Sequence, residues 1–436
     1  MITRDRAALQ AGLSGKLLQG CLNEHLRRTP ELRRLRDAYQ LRAPILQRWR
    51  AEGLPNHHLA HGYARYIVNI AAAYLVGAAV TYQGEGDGAD ALRRAYKNAN
   101  VSGVDMELAR QAALYGRGVE VIYSDAQAQP RSAALDPLSA FVVYADDVSA
   151  DPLFGVHFHP TTNESGTPCG YEAEVYTAAE RLTYRAASFS GLLLGQPKAS
   201  VPHYFGRVPL IEYWNNDEEA GDVGPVLSLI DAYDVLESDR VNDQEQLVDA
   251  LLLVYGARME TDDRGRTPAQ QLRQDKLLYL PDREAGAQYL AKPGTGADAE
   301  ALRLALEKDI HKFSMVPDLS DEQFAGNISG VAMRYKLLGL EQLTRVKERW
   351  FREALRERMR CYGHFLAVKG CRALNADGIR MIFTRSLPEN ALETAQMVKT
   401  LEGMVPRNIL LSQLPFMDGE DQGRPSQQLP PAQPQT

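Results

Sequence analysis

The hydrophobic and polar positions near the end of the chain repeat with a helical period. Between residues 331 and 368 the apolar residues recur every three or four positions, and most residues between them are charged. Gly339 and Gly363 are the only weak points for a helix in this segment. The pattern predicts one helix of about 40 residues, roughly 55–60 Å long at ~1.5 Å rise per residue. Such a helix needs other elements to pack along its length.

The rest of the chain combines further helices with a β-rich region. Alternating apolar and polar positions between Val119 and Trp214 predict several strands with one wet face. Residues 256–296 are predicted to form a short segment of turns, strands and one helix. One long helix precedes this segment and another follows it, so the two helices are expected to form an arm that carries the segment at its end. The pattern therefore predicts an α+β fold. Helices are expected in residues 1–50 (with Pro30 and Pro44 as boundaries), 59–76, 105–115, 224–255 and 298–316, and one strand near 378–385.

Composition limits the class of protein. The chain has 436 residues, a net charge of -7 and four cysteines without CxxC spacing. This length allows two or three domains, and the cysteines indicate reduced thiols in an intracellular protein rather than a disulfide framework. The chain has no uninterrupted run of about eighteen apolar residues, so no membrane span is predicted. The first residues lack the apolar core of a signal peptide. The negative charge argues against a surface that grips DNA tightly, because that requires clustered Lys and Arg.

Two helices carry charge of one sign. The Arg-rich segment 25–50 is interpreted as a solvated helical face, with contact to phosphates as the alternative. The helix predicted from residue 224 is acid-rich. A solvated face explains it equally, but around a closed channel its carboxylates would repel phosphates and let DNA slide. The acidic residues singled out there are Asp231, Asp234, Glu237, Asp239 and Asp243.

The segment 317–330 precedes the long helix and is rich in glycine and polar residues. It is predicted to be a loop, either a plain surface turn with Ser329 capping the helix or a loop that reaches a partner outside its own core. The residues expected to make that contact are Asp318, Ser320, Asp321, Glu322, Gln323, Phe324 and Asn327.

Motifs for enzyme chemistry are missing from the sequence. It contains no P-loop, GxSxG, HExxH or dinucleotide-binding fingerprint. His57, His58 and His61 have no carboxylate or cysteine at ligand spacing beside them. Adjacent acids such as Asp146 and Asp147 are typical of solvated turns. We therefore predict no catalytic residue, no cofactor and no metal.

Several segments, taken in order, resemble the portal proteins of tailed bacteriophages, specifically the family of long-tailed phages and related prophages. The resemblance covers nearly the whole chain. It rests on PNHHLAHGYARYIVNIAAAYLVGAAVTY, LDPLSAFVVYAD, FGRVPLIEYWNNDEEAGDVGPVLSLIDAYDVLESDRVND, PDLSDEQFAGNISGVAMRYKL and FTRSLPENALETAQMVKTLEGMVP.

The resemblance implies a ring of about twelve subunits at one capsid vertex, through which double-stranded DNA is packaged and later ejected. It implies as partners the terminase large subunit, a head-completion or adaptor protein, and the major capsid and scaffold proteins. The protein would be made in the bacterial cytoplasm and reside in the virion. The implied parts are a wing (1–224), stem helices (225–255 and 297–316), a clip (256–296), a tunnel loop (317–330), the long wing helix with a returning strand (331–384), a reduced crown (385–418) and a disordered tail (419–436).

The implied clip would dock the packaging motor and the head-completion protein through a charged turn. Its residues are Arg258, Glu260, Asp262, Asp263, Arg264 and Arg266. Two other classes remain open at this stage. One is a monomeric cytosolic adaptor associated with nucleic acid, which would form no ring. The other is a metal-dependent enzyme acting on nucleic acid, which would lose activity on chelation.

Overall fold

The computed structural model describes residues 1–9, 12–52, 54–248, 251–255, 261, 267, 286–290, 296–319, 330–385 and 399–400. These residues form helices and strands in mixed order, as an α+β fold. The helices are α1 (Gly15–Tyr39), α2 (Tyr63–Val76), α3 (Asp87–Ala99), α4 (Val101–Tyr115), α5 (Leu227–Val248), α6 (Gly296–Ser314), α7 (Gly330–Lys336) and α8 (Leu338–Val368). The strands are β1 (Ile2–Arg4), β2 (Thr81–Gln83), β3 (Arg117–Ser124), β4 (Pro130–Leu135), β5 (Ala140–Ala145), β6 (Pro152–Thr162), β7 (Pro168–Tyr176), β8 (Glu180–Ala186), β9 (Ala199–Pro202), β10 (Leu210–Trp214), β11 (Leu251–Tyr255), β12 (Gly286–Leu290) and β13 (Arg380–Ile382).

The predicted β-rich region forms two sheets packed face to face. One sheet has the order β1-β5-β6-β7-β8-β9, and the other has the order β10-β3-β4. Alternating apolar residues of β3, β5 and β10 fill the space between the sheets. A Cβ at Gly155 would lie 2.5 Å from the Leu210 side chain. Glycine at this position therefore lets the two sheets approach each other.

The first fifty residues differ from the all-helical prediction. Ile2–Arg4 forms a strand that pairs in parallel with β5. Pro30 lies inside α1 instead of ending it. A proline at this position cannot donate to the Leu26 carbonyl, but the Thr29 hydroxyl donates to that oxygen over 2.8 Å. This replacement bond lets the helix continue to Tyr39.

The long helix is present but is divided into α7 and α8. It is interrupted at Leu337, where φ is -89° and ψ is 2°, rather than at Gly339. The Leu337 side chain is buried in a core with Val316 and Leu340, so packing against this core explains the change in backbone direction. The interruption is small, since the Leu337 N–H still donates to the Met333 carbonyl. The structure also contains α3, which the sequence analysis did not predict.

Buried ion pairs attach α8 to the rest of the fold. The guanidinium of Arg358, which is fully buried, donates to Glu120 over 2.8 Å and to Asp105 over 2.6 Å. The Tyr213 hydroxyl donates to the same Glu120 carboxylate over 2.6 Å. Eleven positions earlier on α8, Lys347 pairs with buried Asp222. Because a buried charge without a partner is strongly unfavourable, these contacts define one position of α8 against α4 and the β10-β3-β4 sheet.

The arm consists of α5 and α6 packed side by side. Arg240 pairs with Glu300 over 3.0 Å, and the Arg303 guanidinium lies 3.5 Å from the Tyr233 hydroxyl. Since the higher-numbered residue of α5 contacts the lower-numbered residue of α6, the two helices run in opposite directions.

The predicted helix 224–255 is shorter in the structure, because α5 ends at Val248. Residues Leu251–Tyr255 form a strand paired with Gly286–Leu290. A short apolar run fits a strand or a helix equally well by its pattern, and the pairing with β12 decides for a strand. The strand near residue 380 pairs with β2 in a separate sheet, and does not rejoin the larger sheets as predicted.

Candidate functional site

Three of the five acidic residues singled out on α5 pair with arginines of the same chain, and a fourth contacts a histidine. Asp234 is buried, and the other four are partly exposed. The contacts are Asp231 with Arg34 (2.8 Å), Asp234 with His61 (2.8 Å), Glu237 with Arg240 (2.7 Å) and Asp239 with both Arg48 and Arg50. Asp243 also lies on α5 and has an interaction partner. Arg240 is the only basic residue in the sequence of α5. The other partners come from residues 34–61, which no local sequence pattern connects to this helix.

An extended segment lies along α5 and is bound by a regular series of hydrogen bonds. We call residues 56–62 the strap. The backbone N–H groups of alternate strap residues donate to side-chain oxygens on every fourth residue of α5. These bonds join His57 to Asn242 (2.7 Å), Leu59 to Ser238 (2.9 Å) and His61 to Asp234 (2.9 Å).

This match follows from backbone geometry. Two residues of extended chain advance about 6.6 Å, and four residues of α-helix advance about 6 Å. A strap residue therefore meets a new helical position at every second step, with the two segments running in opposite directions. Ser238 and Asn242 are fully buried, so the bonds are shielded from water. A polar stripe at four-residue spacing on a long helix is the sequence signal that could have revealed the strap.

Charged contacts flank this series at the surface. His57 Nε2 lies 2.7 Å from the Glu245 carboxylate, and both side chains are about half exposed. At the inner end, burial raises the pKa of Asp234, and the hydrogen bonds from His61 oppose that shift. The carboxylates of α5 are thus largely balanced by cations of the same chain. A role for them in repelling DNA stays a prediction, and these pairs reduce the field that such a role would use.

The loop predicted at 317–330 is described only at its ends. Asp318 is half-buried and has an interaction partner. Ser320, Asp321, Glu322, Gln323, Phe324 and Asn327 lie outside the described residues. Residues 316–319 are bound to α2 and α6 by hydrogen bonds. Contact between the 317–330 loop and DNA stays a prediction.

The charged turn predicted for docking also lies outside the described residues. This applies to Arg258, Glu260, Asp262, Asp263, Arg264 and Arg266. Only the paired strands β11 and β12 and two single threonines are described in that part of the chain. The predicted crown is described at residues 385 and 399–400 alone.

The histidines considered as metal ligands have other partners. His57 contacts Glu245, and His61 contacts Asp234. His157 and His159 stack with ring centroids 5.4 Å apart, and His157 lies 3.7 Å from Glu174. Among the described residues, no group of three or more His, Cys, Asp or Glu side chains is arranged to hold a metal ion. In the same part of the chain, no helix is long and apolar enough to cross a membrane.

Comparison with known proteins places the chain among viral proteins. A portal protein of Clostridium phage phiCD119 is 26% identical over 222 residues, which cover 50% of this chain and 48% of that relative. The aligned part thus spans about half of the relative's length. A portal protein of Bacillus phage SPP1 is 23% identical over 388 residues, covering 84% of this chain and 75% of that protein.

Two solved structures from gene transfer agent particles match part of the chain with low scores. The neck of the native particle matches with a TM-score of 0.44 and 14% identity, covering 81% of this chain and 90% of that one. A chain of the native virion matches with the same TM-score and identity, covering 89% of this chain and 93% of that one.

A family model described as phage portal protein, SPP1 Gp6-like, matches residues 18–429, which is nearly the full length of the chain. The chain therefore belongs to the SPP1 Gp6-like family of phage portal proteins.

Proposed function

We propose that this chain is the subunit of a ring at one capsid vertex, forming the channel through which double-stranded DNA is packaged and later ejected. The observation that carries the proposal is the family match over residues 18–429. The protein acts as a structural conduit and head-tail connector of the virion, not as an enzyme. The ring is a closed cyclic homo-oligomer of about twelve copies, the number that the resemblance to phage portal proteins implies.

The geometry of the described residues fits this function. The antiparallel helices α5 and α6 form an arm, and β11 and β12 continue from the same end of it. We assign the arm to the stem, and β11, β12 and the residues between them to the clip. Strand β11 thus moves from the predicted stem to the clip. Residues 1–224 with 331–384 form the wing, in which buried ion pairs attach the long helix to the sheets.

The partners of this proposal follow from the parts of the ring. The clip docks the terminase large subunit during packaging and a head-completion protein afterwards, and the wing contacts capsid and scaffold proteins. Residues 317–330 form the tunnel loop, which touches DNA without reading its sequence. ATP hydrolysis belongs to the separate terminase.

The experiment that tests the proposal measures the mass and symmetry of the purified full-length protein. Native mass spectrometry and negative-stain images should show a closed ring with a central hole. A protein that is monomeric alone is mixed with its scaffold and capsid proteins and measured again. A chain that stays monomeric in that mixture overturns the proposal and favours an adaptor.

A further inference from the structure

One tyrosine hydroxyl holds the backbone at the point where residues 317–319 leave the helical body. The Tyr66 hydroxyl on α2 donates to the Pro317 carbonyl over 2.8 Å and accepts from the Leu319 N–H over 2.9 Å. A phenol has one donor and two acceptor lone pairs, so a single oxygen can make both bonds. Burial raises the pKa of Tyr66, which keeps the hydroxyl protonated and able to donate.

Helix α6 holds the residue just before this point. His311 Nδ1 lies 2.9 Å from the Val316 carbonyl and donates to it. The Val316 side chain is fully buried. The ring of Tyr66 meets the ring of His311 edge to face, with centroids 5.8 Å apart. The two helices thus fix the carbonyls of consecutive residues, 316 and 317, through rings that pack on each other.

The same cluster connects to the strap on α5. Tyr63, one turn before Tyr66 on α2, packs edge to face on His311 at 5.8 Å and on Tyr233 at 5.1 Å. Tyr233 also meets the ring of His61 at 4.8 Å. Aromatic contacts of this geometry stabilise a fixed arrangement of rings. A continuous set of contacts therefore runs from the strap through the start of α2 to residue 319.

We propose that Tyr66 and His311 form a clamp that positions the start of the 317–330 segment, and that Tyr66 is a positioning residue for DNA passage through the ring. The clamp comprises Tyr66, His311, Val316, Pro317 and Leu319. Two carbonyls and one N–H of the backbone at 316–319 form hydrogen bonds with side chains of α2 and α6. These groups do not pair within a strand or a helix. The position of residue 319 is thus set by α2 and α6 together. This inference rests on the proposed channel function.

The test replaces Tyr66 by phenylalanine, which removes one oxygen and keeps the ring against His311. Tyr39→Phe is the matched control, because that hydroxyl donates to Asn69 at an exposed position over 3.0 Å. Amide hydrogen exchange of the assembled ring is measured over residues 316–319, together with ring assembly and DNA packaged in the presence of terminase and capsid proteins. Exchange at Leu319 should rise about fivefold in Y66F, which corresponds to loss of about 1 kcal/mol from a hydrogen bond. Packaged DNA should fall several-fold while rings still form, and Y39F should match the parent in both respects.

A second variant keeps the inference falsifiable if Y66F does not fold. His311→Phe retains a ring beside Tyr66 and removes only the donor to Val316, so it should raise exchange at 316–319 in the same direction. Unchanged exchange in whichever of the two variants folds overturns the clamp. A merely structural role would lower thermal stability without a local rise in exchange at 316–319, and that result also overturns it.

Deletion of residues 320–329 separates the clamp from the proposed function. If the deletion abolishes packaging but Y66F packages normally despite faster exchange, the positioning role is wrong and the channel function stands. If the deletion packages normally, the tunnel-loop part of the proposed function is wrong, and with it the role assigned to Tyr66 in DNA passage.

Discussion

Two helices of this protein use charge in opposite ways. On α8, Arg358 and Lys347 are buried with their carboxylate partners. On α5, Asp239 pairs with Arg48 and Arg50 and Glu245 contacts His57, while 39% and 54% of the two carboxylate side chains stay exposed. Water screens the second group but not the first. The buried pairs therefore define where α8 lies, whereas two of the three strap bonds on α5 go to neutral side chains, Ser238 and Asn242.

This difference suits the roles proposed for the two helices. A helix that holds the wing together benefits from pairs whose separation is costly. A helix in the proposed stem is held to its own wing by several weaker contacts, which are partly exposed ion pairs and the hydrogen bonds of the strap.

Breaking the buried network should have the largest effect. Arg358→Met leaves the carboxylates of Glu120 and Asp105 buried without a cation, and should lower the free energy of unfolding by about 3–5 kcal/mol. Urea denaturation followed by circular dichroism measures this change. Arg345→Met is the matched control, because Arg345 pairs with Glu341 four residues away and is 62% exposed. The control should lose under about 1 kcal/mol, and equal losses in the two variants would contradict the contrast.

The network itself can be examined further with the triple variant Arg358→Met, Glu120→Gln and Asp105→Asn. Removing all the charges together should destabilise the protein less than removing Arg358 alone, since no buried charge then lacks a partner. A triple variant less stable than Arg358→Met would show that the pairs stabilise the fold in themselves.

Acid should destabilise the wing through His25. This side chain is fully buried, and burial, with Arg117 adding repulsion, lowers its pKa from 6.5 to about 3. Arg117 donates to Nδ1 over 3.3 Å, so Nε2 carries the hydrogen that is donated to the Leu138 carbonyl. Below pH 6.5 His25 binds a proton in the unfolded chain but stays neutral in the folded protein. The free energy of unfolding should therefore fall by up to about 1.4 kcal/mol per pH unit below that point.

Between pH 6.5 and 4.5 the effect of His25 on stability can be measured without that of Glu174. The pKa of Glu174 is lowered from 4.5 to about 2, chiefly by the hydrogen bond from His157. The stability that ionised Glu174 contributes is therefore lost only below pH 4.5. His25→Gln should reduce the slope between pH 6.5 and 5 in urea titrations of unfolding, leaving the part that comes from His203, whose pKa burial also lowers. A variant with the same slope as the parent would assign the acid sensitivity to another group.

Loss of a strap bond should have a moderate effect. Ser238→Ala leaves the Leu59 N–H without its acceptor in a partly buried position, and should lower the free energy of unfolding by about 1–2 kcal/mol. Hydrogen exchange should increase locally at Leu59 and His61. Ser124→Ala is the control, since that hydroxyl donates to Asp125 at an exposed site. A purely global rise in exchange would show that the strap is not a separate unit.

Removing a surface charge from α5 should have the smallest effect. Asp239→Asn breaks partly exposed pairs with Arg48 and Arg50, and should cost under about 1 kcal/mol, less at high salt. Thermal unfolding at low and high ionic strength measures this difference. A loss as large as that of Arg358→Met, or one independent of salt, would remove the distinction between the two helices.

The sequence by itself determined the α+β class, the β-rich region, the two arm helices and the long helix. Periodicity of apolar residues specifies these elements because each buries one face. The ordered segments also sufficed to predict the portal family, which the family match over residues 18–429 confirms. The pairs Glu341–Arg345 and Glu348–Arg352 were predictable as well, since residues four apart lie on one face of a helix.

Only the tertiary structure decided the boundaries and the partners. The end of α5 at Val248 depends on a strand contributed by residues 286–290, and the interruption at Leu337 depends on a core that includes Val316. Arg358 looks like any surface arginine in the sequence, although its partners lie 238 and 253 residues away. The same holds for the strap and for Tyr66, whose partners lie 251 and 253 residues away. The local pattern of apolar residues indicates which face of an element is buried, but not which distant residue contacts that face.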